Sequence, residues 1–128
     1  MASFKEFFEN KPFAVFILAP FKNGYAATTR PVDRGEGGQI GLPGGKVEPN
    51  ENPVDAAKRE SMEEGWSIDI VDKIPFYTQL VDGNVVWWYR GVNPKMLNSF
   101  KEFGRIFPVV ASRDEIVFSG FGNENLGL

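Results

Sequence analysis

The uninterrupted apolar run Phe13-Ala14-Val15-Phe16-Ile17-Leu18-Ala19 has few ways to exist in water. It falls far short of the roughly 20 residues that cross a bilayer. Lys5 and Lys11 precede it, as basic residues precede the core of a secretory leader, but Glu6 and Glu9 spoil that charge pattern. The run reads as a buried strand. Lys22-Asn23-Gly24 supplies a turn signal, and residues 25–30 return as a second strand, so the two segments read as a hairpin. Residues 3–10 suit a short helix with Phe4, Phe7 and Phe8 on one side, and residues 31–38 a polar loop.

Beyond the loop, residues 39–42 look like a short strand entering a tight turn at Pro43-Gly44-Gly45. A helix follows, with Asn52 as cap, Pro53 in the first turn and Gly65 as the stop. Strands are expected at 66–71, 75–81 and 85–91, the last two joined by Asp82-Gly83-Asn84. Residues 93–103 are ambiguous, 105–110 read as a strand, and 112–118 as a short helix capped by Ser112. No repeat or linker divides the chain, so residues 1–128 are expected to form one α/β domain, a mixed β-sheet sandwiched between α-helices.

Composition narrows the chemistry. The chain has no His and no Cys, which removes imidazole bases, thiolate nucleophiles and the usual zinc ligands. Any acid–base or metal chemistry must rest on carboxylates, Lys, Tyr and backbone. The 14 Lys and Arg against 17 Asp and Glu leave a net charge of −3, without the clustered basic surface that duplex DNA needs. Absent Cys fits a reducing compartment.

Residues 44–65 hold six of the 17 acidic residues. On the expected helix Glu60, Glu63 and Glu64 stand at i, i+3 and i+4, so their carboxylates share one side within a turn. Like charges at these spacings repel, and the helix dipole disfavours anions near a C-terminus. A hard divalent cation such as Mg²⁺ or Mn²⁺ would relieve both penalties; a solvated acidic face is the plainer alternative.

The surrounding residues shift the balance between them. Five residues separate Gly45 from Glu51, seven more lead to Arg59-Glu60, and Glu63-Glu64 follow after two. This resembles the Nudix box, and Leu42-Pro43-Gly44-Gly45-Lys46-Val47-Glu48 resembles the strand and turn that introduce it. Two positions depart from the pattern: Ser61 stands where an apolar residue is usual, and the closing glycine comes one residue early as Gly65, leaving Trp66 in its place. The resemblance implies a Nudix hydrolase of the MutT-like kind, with the Nudix fold and Mg²⁺ or Mn²⁺ as cofactor. Carried onto this chain, it implies Glu60, Glu63, Glu64 and the Gly44 carbonyl as metal ligands, with one of the glutamates serving as base. Arg59 and Glu51 match a pair that orients them. Some relatives take the base from a later loop, for which Glu102 is the first candidate, ahead of Asp114 and Glu115.

Substrate recognition lies outside the box. Arg30 and Arg34 could clasp phosphates. An aromatic wall for a base could come from Phe76, Tyr77, Trp87, Trp88 or Tyr89, with Trp87 and Tyr89 chosen first, and Asn123 stands where some relatives read the base. The expected partner is a small nucleotide, with a nucleoside triphosphate ahead of ADP-ribose or another nucleotide sugar. A nucleotide-sensing module without catalysis is the alternative from another class. No DNA duplex or membrane is expected as partner, the protein being a cytoplasmic monomer or homodimer.

Overall fold

The computed structural model describes residues 11–29, 40–97 and 107–116. Strand β1 (Ala14–Leu18) is buried along its whole length, as its unbroken apolar sequence requires. Strand β2 (Pro20–Phe21) and β3 (Gly24–Thr29) follow, then β4 (Ile40–Gly41), β5 (Gly44–Lys46), helix α1 (Pro53–Glu63), β6 (Trp66–Ile70), β7 (Tyr77–Val81), the long β8 (Asn84–Met96) and β9 (Phe107–Ala111).

These strands form two sheets. The first runs β5-β1-β8-β6 with β7 also on β8; the second runs β2-β3-β4 with β9 on β3. Strands β1 and β8 pair in parallel, Ala14 opposite Val86 through Leu18 opposite Arg90, while β5, β6 and β7 join antiparallel. The sheet is therefore mixed. Because side chains alternate along a strand, β1 and β8 sort into two cores. Val15, Ile17, Trp87 and Tyr89 pack with Ala56 and Ala57 of α1. Phe16, Leu18, Val86 and Trp88 pack with Ala27, Leu42, Ala111 and Ile116 of the second sheet. Among the described residues, α1 covers one face of the first sheet and the second sheet covers the other.

Several local expectations are corrected. Strands β1 and β3 do not form a hairpin: β3 turns back on β2 instead, and β1 pairs with β5 and β8. Pro20, which has no N–H to extend the β1 ladder, marks the crossing. Gly44-Gly45 is not a turn but part of β5, with Gly44 opposite Phe16 and Gly45 opposite Val15. The ambiguous stretch after Asn93 continues β8 as far as Met96. The helix expected at 112–118 is a single 3₁₀ turn, Arg113–Glu115. Its carboxylate Glu115 accepts from the Ser112 N–H (2.9 Å) and hydroxyl (3.0 Å), and Ile116 is already extended. The expected helix at 3–10 lies outside the described residues. None of the helices among the described residues is long and apolar enough to cross a membrane.

Candidate active site

Helix α1 begins where its sequence says it should. The Asn52 side chain accepts from the Val54 N–H at 2.9 Å, and Pro53, which has no N–H to satisfy, takes the first position. Its far end is less conventional, since the last turn carries no basic residue. Glu63 is the last helical residue, Glu64 is the cap, and Gly65 turns the chain at φ +96°. The early glycine thus places Glu64 at the junction of helix and strand.

Both departures from the box pattern have a local explanation. Ser61 is fully buried, and its hydroxyl donates to the Ala57 carbonyl at 2.8 Å, so the helix itself satisfies it. Trp66, also fully buried, donates from Nε1 to the Ala27 carbonyl at 2.7 Å, linking β6 to the second sheet.

Two carboxylates of α1 meet the backbone of β5. Glu64 is buried, and its Oε1 accepts from the Gly44 N–H at 2.9 Å. Glu60 lies beside Gly45, where a Cβ would come within 2.5 Å of its carboxyl carbon and Oε2. Glycine at that position is what leaves room for the carboxylate. Gly44 is equally constrained, because a Cβ there would sit 2.1 Å from the Val15 carbonyl oxygen. These are requirements of close approach, not of a turn, and the doublet alone did not reveal them.

Arg59 joins the remaining pieces. Its Nε and Nη2 bond Glu51 in a two-pronged pair at 2.8 and 3.0 Å. Nη1 reaches Glu60 at 3.0 Å and Glu63 at 3.5 Å, while Nη2 also donates to the Lys46 carbonyl at 3.2 Å. Glu51 in turn accepts from the Glu48 N–H at 3.0 Å. One guanidinium thus ties β5, the loop after it and two helix carboxylates together.

The electrostatics differ on its two sides. The Arg59 hydrogen bonds hold the Glu51 carboxyl below its usual range, and the same bonds push the Arg59 pKa up. Burial raises Glu60 from its ordinary value despite the opposing pull of Arg59, with the Glu63 charge adding to the rise. A carboxylate crowded by burial and a like charge is one that a cation would stabilise. Among the described residues no three acidic side chains are grouped as a ready metal cage; Glu60 and Glu63 turn to Arg59 instead. The donor chemistry nevertheless suits a hard divalent ion: every donor is oxygen, and Gly45 leaves the Glu60 carboxylate room beside the β5 backbone.

The structure separates the other candidates from this cluster. Trp87 and Tyr89 are buried on the α1 side of the sheet and line a cavity at the N-terminal end of α1. Trp88 is on the opposite side, stacked on Phe16 with ring centroids 5.1 Å apart and bonded through Nε1 to Gln79 at 2.7 Å. Beside Gly44 and Gly45 a different cavity of about 300 Å³ opens between Phe13, Phe16, Lys46, Asp82 and Val86. Glu115 is exposed and occupied in capping its 3₁₀ turn, which lowers its pKa. Arg30, Arg34, Glu102 and Asn123 lie outside the described residues.

The NUDIX domain family profile matches residues 11–119. Among solved structures, the chain is similar to a MutT NUDIX hydrolase from Burkholderia pseudomallei, with 20% identity over 85% of this chain and 92% of that one, at a TM-score of 0.61. A NUDIX-family hydrolase from Clostridium perfringens gives 18% identity over 83% of each chain and a TM-score of 0.59. An ADP compounds hydrolase gives 17% identity over 75% of this chain and 54% of that one, at 0.51. At these identities the likenesses establish the fold. No curated protein matches.

Proposed function

The chain belongs to the NUDIX domain family, whose hydrolases act on pyrophosphate bonds, and we propose that it cleaves the diphosphate linkage of a small nucleotide at the α1–β5 junction. The observation that carries this reading is the convergence of Glu60 and Glu64 on Gly44-Gly45, braced by Arg59. Glu60, Glu63, Glu64 and the Gly44 carbonyl would hold Mg²⁺ or Mn²⁺, which when bound offsets phosphate charge and lowers the pKa of water. Arg59 and Glu51 orient the helix carboxylates. In a chain without His, a carboxylate takes the proton of the attacking water. A helix glutamate that the metal does not engage suits that role.

For the substrate, a nucleoside triphosphate cleaved to monophosphate and pyrophosphate comes first. The cavity beside Gly44 and Gly45 offers an apolar floor from Phe16 and Val86 with Lys46, Asp82 and Asn84 at its rim. This favours Phe16 and Val86 over Trp87 and Tyr89 as the surface next to a base. The second choice, a nucleotide sugar or another ADP compound, is suggested by the similarity to the ADP compounds hydrolase.

Mg²⁺-dependent turnover of a panel of (d)NTPs, ADP-ribose, other nucleotide sugars and dinucleoside polyphosphates tests both. Activity should require the metal and fall by about 10²-fold or more in Glu64→Gln with the fold retained. Wild-type turnover in Glu64→Gln at saturating Mg²⁺ would reject the site. A higher kcat/KM for ADP-ribose than for every triphosphate would reverse the order of substrates. Tight binding without turnover of any nucleotide would favour a sensing module.

A further inference from the structure

The three helix carboxylates are not held alike. Glu64 is fixed by the Gly44 N–H at 2.9 Å, a bond to a strand backbone that cannot follow a moving side chain. Glu60 is fixed twice. Its Oε1 accepts from Arg59 Nη1 at 3.0 Å, and its carboxyl packs beside the Gly45 backbone with Oε2 on that side. Glu63, the last residue of α1, meets the same Nη1 at 3.5 Å, the longer and weaker of the two contacts.

Arg59 is anchored elsewhere. Nε and Nη2 clasp Glu51 at 2.8 and 3.0 Å, and Nη2 also donates to the Lys46 carbonyl at 3.2 Å. Nη1 is the nitrogen shared between Glu60 and Glu63. Residues three apart on a helix are neighbours, with Cβ atoms about 5–6 Å from each other. A rotamer change therefore suffices to carry the Glu63 carboxylate from Arg59 to the side of Glu60. Binding an ion needs such a change, because as the side chains stand no three acidic groups are gathered to hold one among the described residues. Glu63 is released from Arg59 most cheaply, since a part-exposed ion pair at this spacing contributes little to stability.

We propose that Glu63 is the exchanging ligand of this site: it pairs with Arg59 in the metal-free protein and turns to the divalent ion when one binds, while Arg59 stays clasped to Glu51. This exchange rests on the reading of the site as a divalent-metal centre. It gives the guanidinium two duties on separate nitrogens. Nε and Nη2 hold Glu51 and the segment before α1 in place with or without an ion. Nη1 supplies positive charge beside Glu63 until the ion arrives. Three like charges within one turn can thus fold before metal is present, because Arg59 already offsets their repulsion.

The test is NMR of the full chain, labelled at the Glu carboxyl carbons and the Arg guanidinium nitrogens, stripped of metal and titrated with Mg²⁺. The Glu63 carboxyl and Arg59 Nη1 signals should move together to saturation along with the Gly44 and Gly45 amides, while Arg59 Nε and the Glu51 carboxyl hold still. Glu63→Gln should raise the Mg²⁺ Kd about tenfold and abolish the Nη1 movement, yet leave the Gly44 amide responding at higher Mg²⁺. If the Glu64 and Gly44 signals saturate while Glu63 and Nη1 stay unmoved, the exchange is overturned and the metal site stands. An Nη1 signal that still moves in Glu63→Gln overturns it too, as does movement of Nε and the Glu51 carboxyl as large as that of Nη1, since Arg59 would then leave as a whole. If Mg²⁺ moves none of these signals, the metal centre itself is rejected and the exchange with it.

Discussion

Arg59 makes contacts that no other cation can duplicate. Its planar fork engages both Glu51 oxygens while the third nitrogen reaches Glu60 and Glu63. Arg59→Lys keeps the charge but loses the fork, so kcat/KM at saturating Mg²⁺ should fall about 10–100-fold, the usual range for a group that orients ligands. An unchanged rate would make Arg59 an ordinary helix residue. Tyr89 gives a stability prediction of the opposite sign. Removing its buried, unbonded hydroxyl as Tyr89→Phe should raise ligand-free stability by about 1 kcal/mol. Burial also pushes the phenol pKa up to about 12 from an ordinary 10.0. The folded state therefore favours the neutral phenol, a stabilisation complete below pH 10.0 and lost as pH rises through about 12. Thermal melts across that window should show the decline in the wild type and a flatter alkaline limb in Tyr89→Phe.

At the scale of elements, what the sequence made legible was what local chemistry controls. Asn52, Pro53 and Gly65 bracket α1 because capping and helix termination act within a few residues. The box spacing likewise singled out Arg59, Glu60 and Glu64, because a helix converts spacing directly into a shared face, whereas Glu51 precedes the helix and is brought in by its bonds to Arg59. Strand β5 was less legible. Pro-Gly-Gly carries the composition of a turn, and only the distant β1 makes it a strand. That difference can be measured with two neighbouring substitutions. Gly44→Ala would drive its Cβ into the Val15 carbonyl and the Phe16 backbone, costing about 2–4 kcal/mol, read as a lower Tm. Gly45→Ala meets only the end of the Glu60 side chain, which can swing away. It should cost under about 1 kcal/mol in stability yet lower activity by tenfold or more. Equal losses of stability in the two variants would contradict the register.

At the scale of the whole molecule, partner choice among strands was the part that sequence left hidden. Nothing in residues 13–19 says that β1 pairs in parallel with β8, some 70 residues later, and the nearby turn signal pointed to β3 instead. What strand alternation alone did settle is that Trp87 and Tyr89 share one side of β8 and Trp88 takes the other. A site assembled from α1 and β5 should also report on the fold. Millimolar Mg²⁺ is expected to raise Tm through preferential binding to the native state, and Glu64→Gln should abolish most of that shift. No shift in the wild type would argue against a preformed site. The ladder that holds β5 has one more effect. Ile17 donates its N–H to the Pro43 carbonyl, and Val47 donates to that of Phe13, so the backbone beneath the carboxylates is stitched to the central strand on both sides of Gly44-Gly45. Amide hydrogen exchange along this backbone should then be as slow as in the core, and inactivation by denaturant should coincide with loss of circular dichroism. The β5 backbone should then show no melting transition of its own.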